Sequence, residues 1–198
     1  MLNLIDPVIY TPDELQYVRE VLRPLFSAGW DDQKNKTKAL KHRIDSHTMI
    51  AQHGRCAYCE KVLLKGEHAI EHIAPRGRYG EFCFEPFNLV NACTSCNSPS
   101  NKRDEDTIVA PADRTDYDNN RFKIVHPYLD NPDDHIRYVD GDKTIFDMQN
   151  CSAKGVATIT MFHWNESWAY TQRVINAKTR DVPIDVLKMV AEISSYKL

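Results

Sequence analysis

The sequence predicts an α+β fold, and three observations carry that reading. Helical periodicity fills the start and the end of the 198-residue chain. Between them, a stretch of strand-like alternation is bracketed by two Cys-x-x-Cys pairs, Cys56/Cys59 and Cys93/Cys96. A connector rich in Pro and Asp follows Arg103 and sets this middle segment apart from what comes after it. The expected organisation is an N-terminal helical region over 1–54, a metal-stapled module over 55–103 and a C-terminal α/β extension over 104–198.

Thr11-Pro12-Asp13-Glu14 has the form of a capping box with proline at the first helical position, and Leu15, Val18, Leu22, Leu25 and Phe26 then recur on one face. Gly29 is the expected stop. The spacing of Leu40, Ile44 and Ile50 predicts a second helix from Lys36 to His53, ended by Gly54. From Arg55 the period shortens. Val62–Leu64 and Ala69–Ile73, joined through Lys65-Gly66, read as a hairpin, and the second cysteine pair is expected to open a short helix. Further on, Ile136 to Phe146 reads as a hairpin turning at Asp140-Gly141-Asp142, followed by helices near His163–Lys178 and Ile184–Tyr196. The core face of the last helix is expected to carry Ile184, Leu187, Val190, Ala191 and Ile193.

A formal charge of −3 argues against a protein that coats nucleic acid through its overall field, so any such contact must be local. Positive charge gathers at Lys34, Lys36, Lys38, Lys41 and Arg43, and again at Arg76, Arg78, Lys102 and Arg103. No apolar run approaches bilayer length, and Met1–Tyr10 lacks the basic end and apolar stretch of an export signal. The expectation is a cytoplasmic protein whose six cysteines are thiolates rather than a disulfide framework. Cys83 and Cys151 fall outside the pairs and are expected to be ordinary packing residues. No GxxxxGK[ST] loop is present, so the chain is not expected to hydrolyse nucleotides by itself.

Two Cys-x-x-Cys pairs supply the four thiolates of a tetrahedral structural zinc site. Such a site contributes roughly 10–16 kcal/mol of folding free energy, comparable with the whole stability of a domain at about 5–15 kcal/mol, so it can hold a module with little core. The interval between the pairs contains Glu71-His72-Ile73-Ala74-Pro75, and Asn97 directly follows the last cysteine. A neutral imidazole can take a proton from water near pH 7, while Glu and an Asn amide oxygen are hard ligands suited to Mg²⁺ or Mn²⁺. Strand alternation would send Glu71 and His72 to opposite sides, so their joint geometry does not follow from spacing. The histidines at 47, 53, 68, 126, 135 and 163 receive no role.

Cys-x-x-Cys, Glu-His-Ile-x-Pro, Asn-Leu-Val and Cys-x-x-Cys-Asn, taken in that order, resemble the HNH endonuclease motif, the ββα-metal fold, in its four-cysteine zinc-bearing form. The resemblance covers residues 55 to 103. It implies that His72 is the general base, that Glu71 and Asn97 hold one catalytic divalent ion, Mg²⁺ or Mn²⁺, and that Asn88 orients the base through the loop. His72 would activate water for in-line attack on a DNA phosphorus, with the ion on the leaving 3′-oxygen and 5′-phosphate ends as products. Two departures stand out: many relatives have Asp where Glu71 stands, and their lysine three residues after the Asn is here Lys102, five after Asn97. Arg76 competes with Lys102 as a transition-state contact, and Arg76, Arg78, Lys102 and Arg103 are the candidate nucleic-acid contacts.

A second, weaker resemblance covers more of the chain. Ile124-Val125-His126-Pro127, Asp130 to Ile136 and Gly155 to Asn165 before Arg173 are similar to HNH nucleases of Septu-type bacterial anti-phage systems. That similarity implies an antiviral role beside a separate ATPase partner. The rival reading is a zinc-dependent nucleic-acid or protein adaptor without turnover.

Overall fold

Thr11 opens the first helix through the capping box its sequence encodes: its hydroxyl accepts from the Glu14 N–H, and the Glu14 carboxylate accepts from the Thr11 N–H. The computed structural model describes residues 1–98, 101–102 and 104–195. Helix α1 (Pro12–Tyr17) runs into a wider turn at Val18–Leu22 and a tighter one at Arg23–Leu25, then the short α2 (Ser27–Trp30) and the long α3 (Asn35–Ala51). Strands β1 (His68–His72) and β2 (Leu89–Cys93) form one antiparallel pair, with His68 opposite Cys93 and His72 opposite Leu89. The remaining helices are α4 (Pro132–His135), α5 (Ala153–Met161), α6 (Ser167–Lys178) and α7 (Ile184–Ser195). The α+β class is therefore as expected.

The two-stranded sheet is too small to stand alone, and both of its faces are covered. On one side Val18, Leu22, Trp30, Leu40, Ile44 and Phe84 close over Leu89 and Ile70, so α1 to α3 shield the His72 face. On the other, Val90, Ala92 and Ile73 join Tyr58, Ile108, Ile124, Ile159, Phe162 and Trp164 in a core shared by the cysteine module and the C-terminal region. Gln52, fully buried at the end of α3, fastens helix to strand: its amide donates to the carbonyls of Arg55 and Asn91 and accepts from the Asn91 N–H at 2.7 Å.

Several expectations are corrected. Residues 62–64 do not pair with β1; Val62 makes only an isolated bridge to Arg55, and the partner of β1 is β2, across the intervening loop. A long-range partner wins because pairing with β2 buries a strand that is covered on both faces, whereas 62–64 serves the turn that carries Cys56 and Cys59. The second cysteine pair opens no helix among the described residues, and the chain makes successive turns there instead; Pro99 and Arg103 lie outside those residues. The first helical face breaks after Leu22: Leu25 and Phe26 are exposed because Phe26 takes a positive φ of 51° that turns the chain. Ile50 is exposed too, and on α7 so are Val190 and Ile193, leaving Ile184, Leu187 and Ala191 half-buried. The turn at Asp140 is formed as expected, with a bridge between Tyr138 and Phe146 and the Val139 N–H on the Ile145 carbonyl. Helix α5 is an addition to the sequence reading.

Candidate metal centre and catalytic cluster

Cys56 and Cys59 sit in a tight knuckle closed by the Cys56 N–H on the Lys61 carbonyl and the Glu60 N–H on the Cys56 carbonyl. Cys93 ends β2 and Cys96 follows in the turn, so local structure delivers two thiols from each side. The four Sγ atoms lie within 4.8 Å of one another, and the Cys59–Cys93 separation is 3.6 Å. A tetrahedral zinc with Zn–S of about 2.3 Å requires sulfur separations near 3.8 Å, so the donor set fits. The Cys93 N–H points at the Cys56 sulfur and the Cys96 N–H at the Cys93 sulfur, contacts that favour thiolate. This four-cysteine cluster can bind a metal such as zinc.

Glu71 and His72 leave β1 toward opposite sides. His72 packs edge-on against Trp30 with ring centroids 4.4 Å apart, and its Nε2 lies 3.1 Å from the Cys83 carbonyl. A carbonyl only accepts, so Nε2 carries the proton and Nδ1 keeps the lone pair. Burial holds this imidazole neutral, with its pKa pushed down to about 3. The ring is closed in, with His72 only 5% exposed.

On the other side, the Glu71 carboxylate accepts from the Lys102 ammonium, which also donates to the His72 carbonyl at 2.7 Å. Burial pushes the Glu71 carboxyl up, and Lys102 opposes that shift. Lys102 is fully buried, which places its charge on Glu71 rather than on a surface where a DNA backbone would lie. Asn97 is half-buried in the turn after Cys96, with its N–H on the Cys93 carbonyl. Among the described residues no hydrogen bond joins Asn97 to Glu71. Arg76 is bound to Asp31 at 2.7 Å and Arg78 to the Asp104 carbonyl, both at the surface.

Asn88 ties the loop together. Its Oδ1 accepts from the Ala74 N–H at 2.6 Å, and its amide donates to the carbonyls of Ala74 and Phe82, fixing the two ends of the loop that presents the Cys83 carbonyl to His72. Sequence reasoning missed what stands behind it. Tyr117 donates to Asn88 Oδ1 at 3.0 Å, and His126 Nε2 lies 2.8 Å from the Tyr117 hydroxyl. His126 Nδ1 accepts from the backbone N–H groups of Tyr128 and Leu129, so its Nε2 is the protonated nitrogen and every donor in the chain points toward Asn88. The only trace in the sequence is the Ile-Val-His-Pro segment, where an imidazole is embedded among apolar residues.

Comparison with known proteins finds distant similarity. The chain is 23% identical over 139 residues to the Septu protein PtuB of Bacillus thuringiensis, a match covering 68% of this chain and 47% of that protein. The chain thus spans about half the length of the curated relative it matches. No protein-family model matches the chain, and no solved structure does either. No helix among the described residues is long and apolar enough to cross a membrane.

Proposed function

We propose that the chain is a zinc-stapled, metal-dependent endonuclease that hydrolyses DNA phosphodiester bonds in bacterial anti-phage defence. The observation that carries this reading is the built support of one imidazole: Asn88 clamps the loop, the loop's Cys83 carbonyl takes the Nε2 proton, and Nδ1 of His72 is left as the base. The defence role rests on the likeness to the Septu protein.

The donor chemistry of Glu71 and Asn97, a carboxylate and an amide oxygen, suits Mg²⁺ or Mn²⁺, which when bound stabilises negative charge on the departing oxygen. His72 draws a proton from the attacking water. Lys102 already neutralises Glu71, so its ammonium must yield that carboxylate when a divalent ion arrives, and a phosphate oxygen is then its natural partner. Arg76 and Arg78, and Arg103 beyond them in sequence, are the proposed backbone contacts. A net-acidic chain with so few clustered cations gains little from counterion release, so we assign part of the DNA grip and its control to a larger partner, an ATPase.

Nicking of plasmid DNA by zinc-loaded protein, with and without excess Mg²⁺, tests the reading. His72→Ala should keep its zinc and its fold while cutting about 10²–10⁴-fold more slowly, the usual cost of a lost general base. Undiminished cutting by that variant, from a preparation free of contaminating nuclease, rejects the mechanism. The closed state of the cluster, with Glu71 paired to Lys102 and His72 nearly sealed, favours a second reading as a zinc-bearing adaptor. DNA or protein binding without any Mg²⁺-dependent cutting would select it.

A further inference from the structure

Where the C-terminal region meets the Cys56–Cys59 knuckle, the surface folds inward into a cavity of about 130 Å³ that Glu71 and His72 do not line. Its walls are aromatic: Phe146 stands between Tyr138, at 5.1 Å, and Trp164, nearly parallel to it at 6.3 Å. The space is close to the roughly 150 Å³ that accepts a benzene ring in a protein interior, so it takes one planar ring.

Two features show that the walls are incomplete by themselves. Buried side-chain polar atoms are almost always hydrogen-bonded, yet Trp164 Nε1 has no partner, and Trp164 lines this cavity. Trp164 is 3% exposed. The second feature is charge. Arg55, Arg173 and Arg180 ring the cavity, and each is aimed by backbone carbonyls: Arg55 by Glu60, Arg173 by Thr144 and Trp164, Arg180 by Asp142. Among the described residues no carboxylate lies within ion-pair distance of any of the three. The carboxylates at the rim are taken by ammonium groups instead, Glu60 by the Met1 amine, Asp133 by Lys143 and Asp142 by Lys178. Three guanidinium groups oriented by neutral acceptors keep their charge for an anion, and Arg173 additionally lies 4.1 Å over the Phe146 ring.

We propose that this cavity binds a nucleotide, its base ring against Phe146 and Trp164 with an acceptor on the indole N–H, and its phosphate on the arginines. An aromatic wall supplies sequence-tolerant stacking for a base, and the arginine fork matches phosphate geometry. The absence of a GxxxxGK[ST] loop agrees with binding rather than hydrolysis. The ligand is either a free mononucleotide or the 5′-phosphorylated end of a strand.

Titration calorimetry on the zinc-loaded full chain, with the common nucleoside 5′-monophosphates, inorganic phosphate and an oligonucleotide with and without a 5′-phosphate, tests this assignment. Saturable one-to-one binding by a monophosphate identifies the free ligand; binding confined to the 5′-phosphorylated oligonucleotide identifies a strand end. Either way the Trp164 indole resonance shifts on titration, Arg180→Gln weakens binding about ten- to hundredfold and Trp164→Phe about three- to tenfold, the ranges for lost charged and neutral hydrogen bonds. His72→Ala binds like the unaltered chain, which keeps the result separate from the nuclease reading. No saturable binding at millimolar concentrations, binding of inorganic phosphate alone, or equal affinity in both cavity variants overturns the proposal and leaves water as the occupant.

Discussion

Lys102 is a fully buried cation whose companion, Glu71, is nearly as deep, so their pairing governs what either can do. Removing one member of a buried pair strands the other charge, at a cost of about 3–5 kcal/mol, whereas removing both together costs far less. Lys102→Met is therefore expected to lower stability by about that amount in urea unfolding, and Glu71→Gln combined with Lys102→Met to recover most of it. Equal losses in the single and double variants would show that the pair is not a unit. The two buried histidines act through pH in the same direction. Burial pushes both His72 and His126 down to about 3, with Asp130 opposing and Lys154 assisting at His126. A folded pKa below the unfolded value near 6.5 means that the unfolded chain binds the extra proton, so stability is present above pH 6.5 and lost as pH falls toward 3. Each histidine should contribute a loss of about 2 kcal/mol between pH 7 and pH 5. Zinc release adds its own acid sensitivity, so the clean measurement is the difference between the unaltered chain and His126→Asn: the former should lose about 2 kcal/mol more over that interval.

At the scale of elements, α5 depends on a contact that no pattern announces. A Cβ on Gly155 would come 2.1 Å from the His135 carbonyl oxygen at the end of α4, and that backbone is also held by the Ser152 N–H. Gly155→Ala should therefore force the two helices apart and cost at least about 1–3 kcal/mol, the usual range for overpacking, despite alanine's better helix propensity. A denaturant midpoint unchanged by the substitution would contradict the close approach. This contact also marks the limit of what the sequence could say. Signals that live within a few residues were legible: the Thr11–Glu14 box, the body of α3, the turn at Asp140 and the two cysteine pairs all read directly. What escaped was pairing across distance. Val62–Leu64 and Ala69–Ile73 satisfy the hairpin rule locally, yet β1 pairs with β2 because only that partner completes a strand covered on both sides. The site divided the same way. Glu71, His72, Asn88 and Asn97 were nameable from motif order, but Lys102 on Glu71 and the relay from His126 through Tyr117 to Asn88 join residues whose neighbours in sequence give no hint of the contact.

The molecule as a whole is tied together through the cysteine module. Tyr58, between Cys56 and Cys59, packs at a tilt against Phe162 with centroids 4.4 Å apart, and the Asn176 amide on α6 donates to the Cys59 carbonyl at 2.8 Å. From the N-terminal side, the Leu4 N–H bonds the Pro127 carbonyl, and Leu4 enters the same core as Ile108, Ile124 and Trp164. The cysteine module thus shares its packing with both the N-terminal residues and the C-terminal region. Zinc binding of roughly 10–16 kcal/mol is as large as the stability of a typical domain, so its loss has nowhere to stop within the module. Cys93→Ser, lacking one thiolate, should lose zinc and with it the packing of Trp164, seen as collapse of the near-ultraviolet circular dichroism. Cys83→Ala, whose side chain lies outside the cluster, should keep both. In the unaltered chain, zinc release and the C-terminal signal should follow one denaturation curve. A zinc-free Cys93→Ser protein that still showed a folded C-terminal region, or two separated transitions, would mean that the extension stands without the metal that its contacts imply it needs.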